Sequence, residues 1–418
     1  MAGALGWVKR VFIALFATGA LIGLTAGDAV AHGEISQEPF LRGDTIAFTD
    51  VAFSTDRIDQ GQALTITGKF KILDTWPRQL TPPETAYLSI TAPGPVFVVT
   101  ERKIGGELTP MSVYVEKGKV YDFSITVVGR TPGEYHVHPA VYVEGSGPLL
   151  GPGQWVTVNP TPGGFRMPVK LLDGTVIPDL QTYRQGFIIG FTILTFLLGL
   201  AWMIYWTVPK PTVTRLAVTN VIPSADWGSD FGLITRRDVR NVGIIALLAL
   251  ALLIGGWIYM RTNYPNIIPL QVHRIQAQPV SLPTLPVTMR ATEAVYDQVS
   301  KELRVTVQAT NSGQQPVTID RMVIANREFL SSPGTSMHPW QAPLSASGNL
   351  TLQPRESRSL TLTVQGAFLE TDRLVPVKQT PYMALTSTFV VRDPSGATNY
   401  LTTQAPPPVL QKRACVPR

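Results

Sequence analysis

Two long apolar runs interrupt a chain whose other stretches are mixed in polarity. Residues 186–206 are 21 positions without a charged side chain, and residues 241–260 form a second uncharged run between Arg240 and Arg261. A helix rises about 1.5 Å per residue, so either run is long enough to cross the roughly 30 Å hydrocarbon core of a bilayer. The pattern therefore predicts two membrane-spanning helices. Neither run holds an ionisable residue, so we expect these helices to anchor and pack rather than react.

On both sides of these runs, apolar and polar residues alternate over short stretches separated by turns rich in Gly and Pro. Such alternation is typical of strands that bury one face, and several short strands at this spacing predict β-sandwiches. In the first part of the chain the strand-like stretches are 63–73, 86–90, 96–100, 120–128 and 134–144. In the last part they are 303–309, 317–324, 359–364 and 383–391.

The N-terminus has the three parts of a secretory signal. Lys9 and Arg10 supply the positive charge, residues 11–24 are apolar, and Ala29-Val30-Ala31 is a small-residue cleavage site. The alternative is an uncleaved anchor helix, but the apolar run is short for a membrane span. Cleavage after Ala31 would make His32 the first residue of the mature chain.

Charge next to the apolar runs predicts the topology. The segment between them carries Lys210, Arg215, Arg236, Arg237 and Arg240, whereas the outer flanks offer mainly Arg184 and Arg261. Positively charged loops stay in the cytoplasm, so both β-rich parts are predicted to be extracytoplasmic. The predicted layout is a cleaved signal peptide at 1–31, an N-terminal domain at 32–180, spans at 186–206 and 241–260 around a cytoplasmic loop at 207–240, a C-terminal domain at 261–405 and a flexible tail at 406–418.

Composition narrows the class of protein further. Of the 418 residues, 44% are hydrophobic and only 15% are charged, which suits a membrane protein with sizeable soluble parts. The net charge of +6 does not indicate nucleic-acid binding, because no basic run is interleaved with aromatic residues. The single cysteine, Cys415, excludes an intrachain disulfide. The chain has no Walker loop, no Cys-x-x-Cys, no His-Glu-x-x-His and no Gly-x-Ser-x-Gly motif.

Three histidines carry the candidate chemistry. His136 and His138 lie two residues apart on a predicted strand, a spacing that puts both side chains on one face. A mature His32 would add an α-amino nitrogen and a third imidazole. Imidazole and amine nitrogens suit copper, and both groups lose their protons around neutral pH. Taken alone, a His-x-His pair on a strand is more often structural.

Other conspicuous side chains are interpreted as structural. Neither His273 nor His338 has another potential metal ligand at a suitable spacing in the sequence, so both are predicted to have structural roles. Trp76 and Trp155 are expected to be core anchors of the first sandwich, because aromatic residues in a small sandwich usually pack inside it. With histidines on a late strand of that domain, the sandwiches are predicted to be cupredoxin-like.

Five motifs in order resemble the B subunit of the copper membrane monooxygenases, the particulate methane, ammonia and short-chain hydrocarbon monooxygenases. These motifs are His32-Gly33-Glu34 with Ser36-Gln37-Glu38, Pro93-Gly94-Pro95-Val96-Phe97, His136-Val137-His138, Gly147-Pro148 and Gly151-Pro152-Gly153-Gln154-Trp155. The resemblance implies that His32, His136 and His138 bind copper. It also implies partner A and C subunits, a trimer of ABC protomers, and oxidation of methane, a short-chain hydrocarbon or ammonia with dioxygen.

The chain departs from the family pattern at one place. Some family members have further histidines in the early strands, which contribute to a second copper site in this subunit. Here Ala47 and Lys71 occupy those positions, and a protonated lysine cannot bind a metal. We therefore predict that the second site is absent.

Together these features give one prediction for the whole chain: a mainly β protein, with two extracytoplasmic cupredoxin-like β-sandwich domains joined by a transmembrane helical hairpin. The predicted function is that of the copper-binding B subunit of a membrane-bound monooxygenase. One alternative is a structural subunit that stores or relays copper while catalysis occurs in another subunit. A free-standing copper oxidase or polysaccharide oxygenase fits less well, because two spans and a second sandwich have no evident purpose there.

Overall fold

The computed structural model describes residues 43–171, 174–207, 217, 221–223, 235–263, 275–324, 326–334, 336–366 and 384–411. The chain divides into two compact units: one combines the β-rich residues up to Phe165 with those from Val272 onward, and the other is Arg166–Gln271. Strand is the commonest secondary structure among the described residues and is accompanied by two long apolar helices, which confirms the predicted mainly β class.

Short strands account for most of the described residues of the first unit, and two long helices for most of the described residues of the second. The helices are α1 (Gln185–Thr207) and α2 (Arg236–Asn263). The strands are β1 (Ile46–Phe53), β2 (Arg57–Asp59), β3 (Ala63–Ile72), β4 (Thr85–Thr91), β5 (Phe97–Ile104), β6 (Glu107–Leu108), β7 (Val113–Tyr114), β8 (Val120–Gly129), β9 (Gly133–Val143), β10 (Gly147–Leu150), β11 (Gln154–Asn159), β12 (Val169–Lys170), β13 (Val176–Ile177), β14 (Ile275–Gln276), β15 (Val287–Asp297), β16 (Glu302–Asn311), β17 (Val317–Ile324), β18 (Arg327–Leu330), β19 (Gln341–Pro343), β20 (Ser345–Ala346), β21 (Thr351–Leu352), β22 (Ser357–Gln365), β23 (Leu385–Arg392), β24 (Thr398–Ala405) and β25 (Val409–Gln411).

The first sandwich packs a five-stranded sheet, in the order β1-β3-β8-β5-β6, against a seven-stranded sheet. In the second sheet the order is β14-β7-β4-β9-β11-β2, and β10 pairs with β9. Along β8, Phe123, Ile125 and Val127 are buried while the residues between them are partly exposed. They join Val137, Val141, Val156 and other apolar side chains of the opposite sheet in one core. The alternation seen in the sequence therefore produces the sandwich directly.

The second sandwich repeats this arrangement with its own core. A five-stranded sheet, in the order β20-β22-β16-β15-β25, faces a six-stranded sheet in the order β19-β18-β17-β23-β24, with β21 on β17. One difference from the sequence prediction lies in the tail, for which the composition predicts mobility from residue 406. Val409–Gln411 instead pairs in parallel with Val295–Asp297 at the edge of the first of these sheets. The remainder of the tail lies outside the described residues.

The two sandwiches, which belong to the same compact unit, share a charged junction. Arg321 Nη1 of the second sandwich lies 2.6 Å from Asp50 Oδ1 and 3.3 Å from Glu328 Oε1. Glu328 is buried and also accepts a hydrogen bond from Gln341 Nε2 at 2.8 Å. Lys69 Nζ donates to Asp50 Oδ2 at 3.1 Å. Burial alone would raise the pKa of Asp50, but the charges of Arg321 and Lys69 outweigh it and hold that pKa below its ordinary value.

The helical unit contains the two predicted spans. Both helices are long and apolar enough to cross a membrane. The second helix starts at Arg236, before the predicted 241, because a capping box extends it: Asp238 N donates to Thr235 Oγ1 at 3.3 Å, and Thr235 N donates to Asp238 Oδ2 at 2.8 Å. The hydroxyl of Tyr205, near the end of α1, donates a hydrogen bond to Asp238 Oδ1 at 2.5 Å and so links the two helices.

Candidate metal centre

The structure brings His136 and His138 into direct contact. Both lie on β9, where His136 is paired with Trp155 of β11 and His138 with Thr91 of β4. The two ring centroids are 4.5 Å apart at an interplanar angle of 80°, and His138 Nε2 lies 2.8 Å from His136 Nδ1. The spacing of two residues thus places both imidazoles on one face of the sheet, as predicted.

His138 is held in one orientation by the loop that follows β10. Its Nδ1 lies 2.8 Å from the carbonyl oxygen of Gly151 and donates a hydrogen bond to it, and its side chain is buried. A protonated Nδ1 leaves the lone pair on Nε2, the atom that faces His136. A histidine that donates its other ring nitrogen to a backbone carbonyl is the usual arrangement for a metal ligand.

Gly153 supplies the space that this orientation requires. A Cβ at position 153 would lie 2.2 Å from His138 Cε1 and 2.5 Å from both ring nitrogens. Such distances are far shorter than an ordinary contact between non-bonded atoms, about 3.5–4.0 Å. Only a glycine therefore allows the ring to lie against the backbone of this loop.

The facing nitrogens are hydrogen-bonded to each other. Because Nδ1 of His138 carries a proton, its Nε2 accepts the hydrogen bond, and His136 Nδ1 donates it at 2.8 Å. A metal ion held by both imidazoles would take the place of the proton between them, and metal binding to histidine releases protons in this way. A pair of nitrogen donors, one fixed in its tautomer by a backbone carbonyl, suits copper among the divalent ions.

Trp155 is not a core residue, so that prediction was wrong. Its side chain is 53% exposed, and its ring centroid lies 5.1 Å from that of His136. On β11 the core positions are Val156 and Val158, and strand alternation therefore turns Trp155 to the opposite face, beside the histidines. The alternation between Trp155 and these valines could have identified this from the sequence. Trp76, by contrast, is buried in the core, as predicted, and its Nε1 donates to Thr81 O at 3.0 Å.

The remaining candidate histidines contribute no third ligand within the part of the chain that the structure describes. There, no group of three or more His, Cys, Asp or Glu side chains could hold a metal ion. His32 and His273 lie outside the described residues. His338 lies in an exposed turn and stacks on Trp340, with ring centroids 4.6 Å apart and planes 1° apart.

Ala47 and Lys71, the two positions expected to lack ligands, are direct partners across β1 and β3. Lys71 is buried and donates from Nζ to Tyr400 O and to Thr402 Oγ1, both at 2.9 Å in the second sandwich. Burial lowers the pKa of Lys71, although Asp74 partly opposes that shift. Lys71 therefore links the two sandwiches, and the absence of a second copper site stays a prediction.

Comparisons with known proteins point to one family. A model of the Monooxygenase_B family, which describes the B-subunit proteins of monooxygenases, matches residues 33–409. The particulate methane monooxygenase alpha subunit of Methylococcus capsulatus is 32% identical over 403 residues, which are 94% of this chain and 95% of that protein. The crystal structure of the cupredoxin domain of amoB from Nitrosocaldus yellowstonii covers 31% of this chain and 96% of its own length, at 17% identity and a TM-score of 0.25. That structural likeness is too low to bear on the fold, which is assigned from the strand order of the sheets in this structure.

Proposed function

Because the chain belongs to the family of monooxygenase B-subunit proteins, we propose that it is the copper-binding B subunit of a membrane-bound monooxygenase. The complex would use dioxygen to oxidise methane, a short-chain hydrocarbon or ammonia, giving the alcohol or hydroxylamine. Partner A and C subunits, arranged with this chain as a trimer of ABC protomers in a lipid bilayer, belong to the same proposal. Positive charge in the segment between the helices supports a position of both sandwiches on the periplasmic side of the membrane.

The single observation that carries the metal assignment is the close approach of His136 Nδ1 to His138 Nε2 at 2.8 Å. In this proposal His136, His138 and an N-terminal His32 hold one copper ion. Copper bound there would supply a redox-active ion able to exchange an electron. The residues around the site would orient the ligands: Gly151 O fixes the tautomer of His138, and Gly153 leaves room for the His138 ring.

The test compares full-length chains that differ only at the N-terminus. One begins at His32, verified by mass spectrometry, and the other carries a single extra residue before it. We expect about one copper per chain and nitrogen hyperfine structure in the Cu(II) electron paramagnetic resonance spectrum of the first, with both lost or altered in the second. Absence of specifically bound copper in both forms would refute the assignment.

The second candidate is a subunit that stores or relays copper and holds the complex together, with catalysis in another subunit. It is favoured by the helices, whose uncharged central runs contain no set of metal ligands. His138→Ala in the assembled complex separates the two roles. Loss of activity while the copper sites of other subunits stay filled supports a catalytic part for this site, whereas retained activity supports storage or relay.

A further inference from the structure

A small cavity of about 100 Å³ lies between the two sandwiches, next to the histidine pair. The first sandwich contributes His136, Pro152 and Gly153 to its wall, and the second contributes Asn326, Arg327 and Trp340. Arg327 is the charged residue of this lining, and no carboxylate takes part in it among the described residues. A space of this size exceeds the volume of a single water molecule, about 30 Å³ in the liquid.

Two buried N–H groups of this lining have no acceptor. Asn326 and Trp340 are each 3% exposed, and neither Asn326 Nδ2 nor Trp340 Nε1 has a hydrogen-bond partner among the residues that the structure describes. Unpaired buried donors are rare because folding removes their hydrogen bonds to water without replacing them. Two of them beside one cavity indicate that the cavity holds something that accepts hydrogen bonds.

The donors are also fixed in position before any ligand arrives. Asn326 lies in the tight turn between β17 and β18, where Ile324 pairs with Arg327, and it is buried although turn residues are usually exposed. The indole of Trp340 lies between His338, at a centroid distance of 4.6 Å, and Phe53, at 6.1 Å. Arg327 Nη1 donates to Pro339 O at 2.7 Å, which holds the guanidinium at the same wall.

We propose that this cavity binds a small oxyanion, a carboxylate or a phosphate, through Asn326, Trp340 and Arg327. Guanidinium and N–H groups recognise such oxygens, and charge-assisted hydrogen bonds to them are the strong ones. A cation would be repelled by Arg327, and an apolar gas would leave both N–H groups unpaired. The proposal goes beyond the monooxygenase assignment and does not depend on copper, because His136 is one wall of the cavity and supplies none of the three groups.

Isothermal titration calorimetry on the full-length, copper-free chain in detergent tests this directly. Sodium acetate and sodium phosphate are titrated separately at constant ionic strength, so that the tighter binder identifies the class of oxyanion. Trp340→Phe removes the N–H and keeps an aromatic ring between His338 and Phe53, and Asn326→Leu removes the amide at similar size. Arg290→Gln, at an exposed position of β15, is the control that shows how much anion binding depends on surface positive charge outside the cavity.

We expect saturable binding at one site, with affinity about five- to tenfold weaker in each cavity variant, as loss of one hydrogen bond predicts, and unchanged in Arg290→Gln. Whichever of acetate and phosphate binds more tightly should also raise the unfolding temperature of the wild type more than that of the variants. If one of the two cavity variants does not fold, the affinity of the other variant tests the proposal. No saturable binding to the wild type would show that water alone fills the cavity, and equal binding by the folded cavity variants would show that the anion binds elsewhere; either result would overturn the proposal.

Discussion

Replacing Gly153 with alanine tests whether the orientation of His138 governs metal binding. The new methyl carbon would fall 2.2 Å from His138 Cε1 and 2.5 Å from its two nitrogens, so the ring and the methyl group cannot both keep their places. The backbone of Gly153 is not in the left-handed region, so alanine meets no conformational penalty there. The perturbation is therefore purely a collision with the imidazole.

The expected size of the effect follows from what the ring loses. Turning away removes the hydrogen bond from His138 Nδ1 to Gly151 O, worth about 0.5–1.5 kcal/mol. Forcing an extra carbon into a packed site costs about 1–3 kcal/mol. The free energy of unfolding should fall by about 1.5–4.5 kcal/mol, the sum of these two losses. Because the carbonyl also fixes the ligand nitrogen, copper affinity should fall by about 10- to 100-fold.

Two measurements on the same samples separate these effects. Cu(II) affinity is measured by competition with a chelator, and stability by denaturant unfolding of the copper-free chain. Gly348→Ala is the matched control, because a Cβ there meets only Leu360 Cδ2 at an ordinary 3.7 Å. Copper affinity in folded Gly153→Ala within twofold of the wild type would refute the idea that this ring position creates the site.

Three further perturbations test contacts around the site and the junction. Cu(II) should quench tryptophan fluorescence less in Trp155→Phe than in the wild type, since this indole lies beside the first histidine of the pair; equal quenching would contradict that contact. Arg321→Met leaves the buried carboxylate of Glu328 without its ion-pair partner and should lower the free energy of unfolding by about 3–5 kcal/mol. The double variant that also has Glu328→Met should recover this stability, and no recovery would contradict the pairing. The lowered pKa of Asp50 means that its ion pairs with Arg321 and Lys69 stabilise the fold above its ordinary pKa of 3.8, and that this stability is lost as pH falls through the folded value. Asp50→Asn should therefore be less stable than the wild type at pH 7, with the difference shrinking below about pH 4; a difference independent of pH would refute this origin.

Periodicity predicted the elements that depend on local pattern. The two apolar runs form α1 and α2, and the alternating stretches form strands of two sandwiches. In each case the order of apolar and polar residues determines the element: an apolar run gives a helix that is apolar on all sides, and alternation gives a strand that buries one face. The contact between His136 and His138 could be predicted for the same reason. Their spacing is two residues, and so is the repeat of a strand.

What the sequence did not predict depends on residues that are distant in the chain. The edge strand Val409–Gln411 forms only because β15 offers it a partner more than a hundred residues earlier. The donor-lined cavity needs a turn near residue 326 to meet a loop near residue 153. Lys71 likewise gains its acceptors, Tyr400 and Thr402, from the far end of the chain.

The segment Gly151–Trp155, a loop that runs into the start of β11, shows how the neighbours of a short motif explain its residues. Its first residue accepts the hydrogen bond from His138, its third leaves room for that ring, and its fifth lies beside His136. Gly153 also lines the cavity that we propose binds an oxyanion. One five-residue segment thus contacts both histidines and the cavity, so a substitution that moves its backbone should change copper binding and anion binding together. Trp340→Phe, which lies across the cavity from this loop, should change anion binding alone.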